Sequence, residues 1–148
     1  MSKVEPLTFA TTIEVRDSCL CLHVQRAARA LARRFDEAFR PIGITHGQFS
    51  LMMSLNRPQS ARMRDVAGLL AMDRTTLTAN LKPLERRGLV EVAADPGDRR
   101  GRLLTLTPAG RDLLVAATPI WRRTQESAGT LITADGRDQL LSDLRALS

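Results

Sequence analysis

Residues 73–102 read DRTTLTANLKPLERRGLVEVAADPGDRRGR, and the rest of the chain takes its meaning from them. Asp73 precedes a helical pattern, where a carboxylate accepts the free backbone N–H groups of the first turn. Leu77, Leu81 and Leu84 recur at steps of four and three, so they share one helix face. The opposite face carries Thr75, Thr78, Ala79, Lys82 and Arg86. It offers hydroxyls and cations, with no acid and no large apolar side chain. Arg74 and Thr76 occupy the first turn. Pro83 removes one backbone hydrogen bond and is expected to bend the helix after Lys82. Gly88 stops it in the usual C-terminal way. Two β-prone runs follow, 89–93 and 102–106, joined by a loop over 95–101 that contains Pro96, Gly97 and Gly101. That hairpin carries Arg99, Arg100 and Arg102 within four residues. Asp98 at its tip is expected to pair with a neighbouring arginine and hold the loop's shape.

The flanking sequence extends this pattern. Upstream, a short helix is expected from Ser60, with Val66, Leu69 and Leu70 inward, then a tight connection at Ala71-Met72. Thr45 and Gln48 form a capping box for a helix carrying Phe49, Met52 and Met53. Before it, apolar residues from Leu20 to Phe39 form a stripe for one long helix capped by Asp17 or Ser18 and ended by Pro41 and Gly43. Residues 1–16 read as a loose arm. Downstream, Thr107 and Pro108 open a helix with Leu113, Leu114, Ala117, Ile120 and Trp121, bent at Pro119. A last helix spans about residues 134–147. Helix, tight turn, helix and two-stranded hairpin in that order describe a winged helix-turn-helix. The fold class is therefore mainly α with a small β-hairpin wing. It is a single domain over 1–148: an arm (1–16), flanking helices (17–43 and 108–147) and the winged unit (45–107).

Charge falls on the same segment. The chain has 148 residues and a formal net charge of +6. Residues 57–111 hold eleven Lys/Arg against six Asp/Glu, whereas residues 112–148 hold four against five. A surplus of cations on one helix and one ribbon fits duplex DNA: hydroxyls and cations meet base edges in the major groove, and arginines enter the minor groove. The nearly neutral, apolar ends suit assembly. Aromatic residues make up 3%, which argues against stacking of single-stranded bases. No apolar run is long enough for a membrane span, no signal-peptide pattern opens the chain, and two cysteines make no disulfide scaffold. A cytoplasmic protein with no membrane partner is the expectation.

These residues resemble the MarR family of bacterial transcriptional regulators over roughly residues 17–147. Met63-Arg64-Asp65-Val66-Ala67 through Arg74-Thr75-Thr76-Leu77-Thr78 is similar to the family's helix-turn-helix, and Leu84-Glu85-Arg86-Arg87-Gly88-Leu89-Val90 to its recognition-helix exit. Asp98-x-Arg100, followed by Leu106-Thr107 and Gly110, matches its wing. The resemblance implies a homodimer whose flanking helices form the interface, acting as a repressor on a near-palindromic operator. It implies Arg74, Thr75, Thr76, Thr78 and Lys82 at the major groove and Arg100 at the minor groove. Ala71 departs from the pattern, standing where the family often has Gly; it costs about 1 kcal/mol if the backbone there is left-handed.

The resemblance also implies release from DNA by a small phenolic ligand, a metal or cysteine oxidation. Phe49 and Met53 are candidates for an effector pocket between the flanking helices and the DNA-binding part. Cys19 and Cys21, two apart on a helix, point about 200° apart and neither bridge nor share one ion. Cys21 shares a face with Val24 and Ala28, so partial burial is expected; Cys19 lies one turn from His23, whose imidazolium would activate its thiol. Counting back from Ile44-Thr45, Cys21 matches the sensing cysteine of the OhrR-like, organic-hydroperoxide regulators. Those surround it with tyrosines, and this chain has none. A small core residue and a redox switch both stand as readings. With only His23 and His46, no metal site has ligand spacing beyond Cys19-x-x-x-His23, and His46 reads as a surface residue. No cofactor is implied. No phosphate-binding Gly loop, paired carboxylates or nucleophile elbow suggests an enzyme. The rival readings are a helical protein-interaction module and a non-specific architectural DNA-binding protein.

Overall fold

The computed structural model describes residues 5–148. Its elements in order are α1 (Phe9–Ser18), α2 (Leu20–Phe39), a 3-10 turn (Arg40–Ile42), α3 (His46–Ser54), β1 (Ala61–Arg62), α4 (Met63–Leu69), α5 (Arg74–Arg86), β2 (Val90–Asp95), β3 (Asp98–Leu106), α6 (Pro108–Gly129) and α7 (Gly136–Leu147). The strands form one antiparallel sheet in the order β1-β3-β2.

The N-terminal arm needs correction. Residues 1–4 lie outside the described residues, but Phe9–Ser18 is helical, not loose. The Thr8 side chain caps it through the Thr11 N–H. No α1 residue is buried, so no apolar stripe advertises it in the sequence. The expected long helix from Asp17 is also divided. Cys19 has extended backbone angles (φ −71°, ψ 109°), and its Sγ accepts from the Leu22 N–H at 3.5 Å as the cap of α2.

Capping chemistry sets the other boundaries much as the residues require. Thr45 and Gln48 bond each other's backbone N–H at 3.2 and 3.0 Å. Thr107 caps α6 through the Gly110 N–H, and its hydroxyl donates to the Gly88 carbonyl at 2.6 Å. Gly88 takes a left-handed φ of 68° after α5. The helix expected from Ser60 begins later: Ala61 and Arg62 form a strand against Leu104 and Leu103 of β3, and α4 follows. Leu69 points outward, 73% exposed, not into the core.

The core joins both halves of the chain. Phe39, Leu51, Met52, Leu77, Leu84 and Leu104 are fully buried. Phe39 stacks on Phe49 (ring centroids 5.0 Å), and Phe49 lies 6.3 Å from Trp121. His46 is not the surface residue expected. It is half-buried, 5.0 Å from the Phe35 ring, and burial lowers its pKa against the opposing pull of the Asp36 carboxylate. Its neutral form therefore favours folding, a contribution lost as pH falls below the ordinary imidazole value.

Ala71, between α4 and α5, has φ 52°. Left-handed backbone costs a residue with a Cβ about 1–2 kcal/mol, part of which glycine's extra unfolded-state entropy offsets. Ala71→Gly is expected to raise stability by about 0.5–1 kcal/mol, seen as a melting temperature about 2–3 °C higher. A lower melting temperature would refute the strain.

Candidate nucleic-acid interface

Three elements supply the candidate residues. Asp73 anchors the first: its carboxylate accepts the Thr76 N–H at 2.7 Å and the Thr76 hydroxyl at 3.0 Å. Those bonds hold the Asp73 pKa below the usual carboxylate value. Thr76, in the exposed first turn, is thereby engaged by the cap through both its N–H and its hydroxyl. Arg74, Thr75, Thr78, Ala79 and Lys82 together line a shallow depression along α5. The Thr78 hydroxyl donates to the Arg74 carbonyl at 2.8 Å, leaving its oxygen free to accept. The helix continues through Pro83 to Arg86. Arg86 lies beyond that depression, beside Lys82 and the exposed Glu85. The outer face is thus not acid-free at this end.

The wing is tighter than the expected seven-residue loop. β2 and β3 extend to Asp95 and Asp98, leaving only Pro96-Gly97 between them. Asp95 Oδ1 accepts the Gly97 N–H at 2.9 Å, and Asp98 Oδ1 accepts the Arg100 N–H at 3.0 Å. Asp98 therefore holds the wing through backbone, not through the arginine side-chain pairing expected for it. A Cβ on Gly101 would lie 3.1 Å from both Asp95 Cβ and Asp98 Oδ2, so glycine lets the two carboxylates pack there. Arg99, Arg100 and Arg102 are all exposed on β3. Arg100 and Arg102 line a cavity of about 510 Å³ under the wing; Arg99, one residue out of phase, does not.

That cavity joins ribbon to helix. Its wall includes Arg62, Arg64, Arg74, Arg100 and Arg102, with Asp95 and Asp98. Arg74 belongs both to this cavity and to the α5 depression, and its Nη2 donates to the Arg100 carbonyl at 2.6 Å. Arg62 and Arg64 went unnoticed in the sequence because only the β1–β3 pairing carries them beneath the wing.

The candidate signal residues are separate. Phe49 and Met53 line a second cavity of about 520 Å³ with Leu70, Trp121 and Arg122. Cys21 is exposed and not partly buried as expected, and Cys19 is partly buried. The Gln25 amide donates to Cys21 Sγ at 3.1 Å. His23 Nδ1 lies 2.8 Å from the Cys19 carbonyl, so its ring engages that residue's backbone and not its thiol.

A profile described as MarR family matches residues 44–101, from just before α3 into the start of β3. The fold also superposes on the Mycobacterium tuberculosis transcriptional regulator MOSR in complex with DNA. That match has 35% identity and a TM-score of 0.79, covering 88% of this chain and 93% of that one. This chain belongs to the MarR family. MarR-family members are DNA-binding transcriptional regulators, not enzymes, and the family is dimeric. A second MarR-like structure is Bordetella bronchiseptica BpsR, from work on regulation of its DNA binding by 6-hydroxynicotinic acid. It is 25% identical, with a TM-score of 0.78 and 97% coverage of each chain. The transcriptional activatory protein BadR of Rhodopseudomonas palustris is 34% identical over 95 residues, 62% of this chain and 54% of BadR. The chain thus spans about half the length of this curated relative.

Proposed function

We propose that this protein is a sequence-selective regulator of transcription, acting as a homodimeric repressor on a near-palindromic duplex operator. The observation that carries the reading is the position of Arg74. It joins the outer face of α5 to the arginine cavity under the wing, making one continuous basic surface from helix to ribbon. In this reading α5 enters the major groove with Thr75, Thr78 and Lys82 toward base edges and phosphates, and Arg100 enters the adjacent minor groove. Arg86, Arg99 and Arg102 act on the backbone, and the Asp73–Thr76 cap fixes the helix end that faces the DNA.

Dimerisation is supported by unpartnered apolar surface. α1 and α7 bury no residue within the chain. Leu20, Val24 and Leu31 of α2 are exposed together with Leu140, Leu141, Leu144 and Leu147 of α7. Such faces on the flanking helices need a covering surface, and a second copy supplies it. Two copies present two α5 helices, which a near-palindromic site matches. Among the described residues no helix is long and apolar enough to cross a membrane. A cytoplasmic location, where the DNA lies, completes the reading.

The release signal in this reading is a small aromatic acid in the Phe49–Met53 cavity, where Trp121 offers a ring face and Arg122 a cation for a carboxylate. The regulation of BpsR by 6-hydroxynicotinic acid is the same class of chemistry. Exposed Cys21 supports an oxidant as the second signal. One titration tests the whole: the DNA upstream of the protein's own gene, against scrambled duplex, with and without salicylate or peroxide. Selective binding that weakens steeply with salt, and weakens with one of the two signals, is expected. Binding without selectivity would favour an architectural protein, and no binding in any condition would sink the reading. Release by peroxide should be lost in Cys21→Ser; persistence would exclude that cysteine as the sensor.

A further inference from the structure

Between a major groove and the adjacent minor groove runs one sugar-phosphate strand. A helix in the first and a ribbon in the second straddle that strand, so the surface joining them faces its phosphates. In this chain the joining surface is the 510 Å³ cavity, with five arginines against two aspartates. Both aspartates are already engaged by backbone N–H groups of the wing. Asp95 is also nearly enclosed, its side chain 11% exposed.

Two of the five arginines belong to neither α5 nor the wing. Arg62, on β1, approaches Asp95 Oδ2 through its Nε at 3.8 Å and is 54% exposed. Its terminal nitrogens have no hydrogen-bond partner among the described residues. Arg64, in the first turn of α4, has among the described residues only the adjacent Asp65 at 3.8 Å as an ionic neighbour and is 72% exposed. These guanidinium groups line the same cavity as the wing arginines, and both stay largely exposed.

We propose that Arg62 and Arg64 are phosphate-binding residues, and that the cavity they line with Arg74, Arg100 and Arg102 seats the DNA strand between the two grooves. The inference rests on the DNA-binding reading above and adds contacts from outside the helix and wing. Contacts of this kind position the protein and read no sequence, so their loss is uniform across sequences and visible in salt dependence.

The test uses the full chain and its Arg62→Gln, Arg64→Ala and double variants. Affinity for the upstream duplex and for scrambled duplex is measured by fluorescence anisotropy across a salt series. Because each substitution removes one contact from both copies of the proposed dimer, the slope of log affinity against log salt is expected to fall by about 1.8 per substituted residue and about 3.6 in the double variant. The fold-loss should be the same on both duplexes. Arg62→Lys keeps the cation and should keep the slope, while an unchanged melting temperature of Arg62→Gln separates phosphate binding from support of the wing. An unchanged slope, or a loss confined to the upstream duplex, overturns the proposal. A parent protein that binds neither duplex would remove the DNA-binding reading itself, and this inference with it.

Discussion

Gly110→Ala is expected to destabilise the protein by about 2–3 kcal/mol, lowering its melting temperature by roughly 6–10 °C. In an exposed helix the same change stabilises by about 1 kcal/mol, so the sign is the informative part. Gly110 is buried in the first turn of α6, its N–H bonded to Thr107 Oγ1 at 3.0 Å. A Cβ there would collide with the Leu89 carbonyl oxygen and lie 2.7 Å from Leu106 Cδ1. The carbonyl cannot yield cheaply, because it accepts the Thr107 N–H at 3.1 Å. Leu89 and Thr107 bracket the wing, so relief of the clash would shift the sheet relative to α6. Thermal unfolding followed by circular dichroism decides the matter. A variant as stable as its parent would mean the α6–wing junction is looser than these distances require.

Arg100→Ala is expected to weaken operator binding by roughly ten- to hundredfold, equivalent to about 1–3 kcal/mol, with little change in thermal stability. The side chain is exposed, while its backbone is held on both sides: Asp98 takes the N–H, and Arg74 donates to the carbonyl at 2.6 Å. A cation on a fixed backbone loses less freedom when it enters the narrow, negative minor groove. Arg99→Ala provides the comparison, since Arg99 lies outside the cavity and should cost less. If anisotropy titrations show Arg99→Ala to be the more damaging change, the role assigned to Arg100 fails.

Much of the fold is legible in the residues because capping is local chemistry. Thr45 with Gln48, Asp73, Gly88 and Thr107 with Pro108 each act over four residues or fewer, and each marks its boundary. What the residues hide is what depends on partners far along the chain. β1 is two residues long, too short for any alternation, and exists because Leu103 and Leu104 of β3 lie opposite. Arg62 and Arg64 contributed to the charge surplus of 57–111, but only that pairing gives them a location beneath the wing. α1 has no buried face to set a period. Cys21 shares the face of Val24 and Ala28, but that face is exposed within the chain, and at Cys19 the backbone is extended with the thiol serving as a cap.

The short first strand has a mechanical consequence. It ties the entrance of α4 to the middle of the hairpin, while Arg74 ties the entrance of α5 to the hairpin's far end. Ribbon and reading helix are thus braced at two points, like a gusseted bracket, and neither can swing without the other. In the proposed two-fold assembly, control then reduces to how two stiff brackets are placed relative to one another. On the proposed reading, any event among the flanking helices that alters this spacing by a few ångströms would act on every groove contact at once, without rearranging a residue that touches DNA.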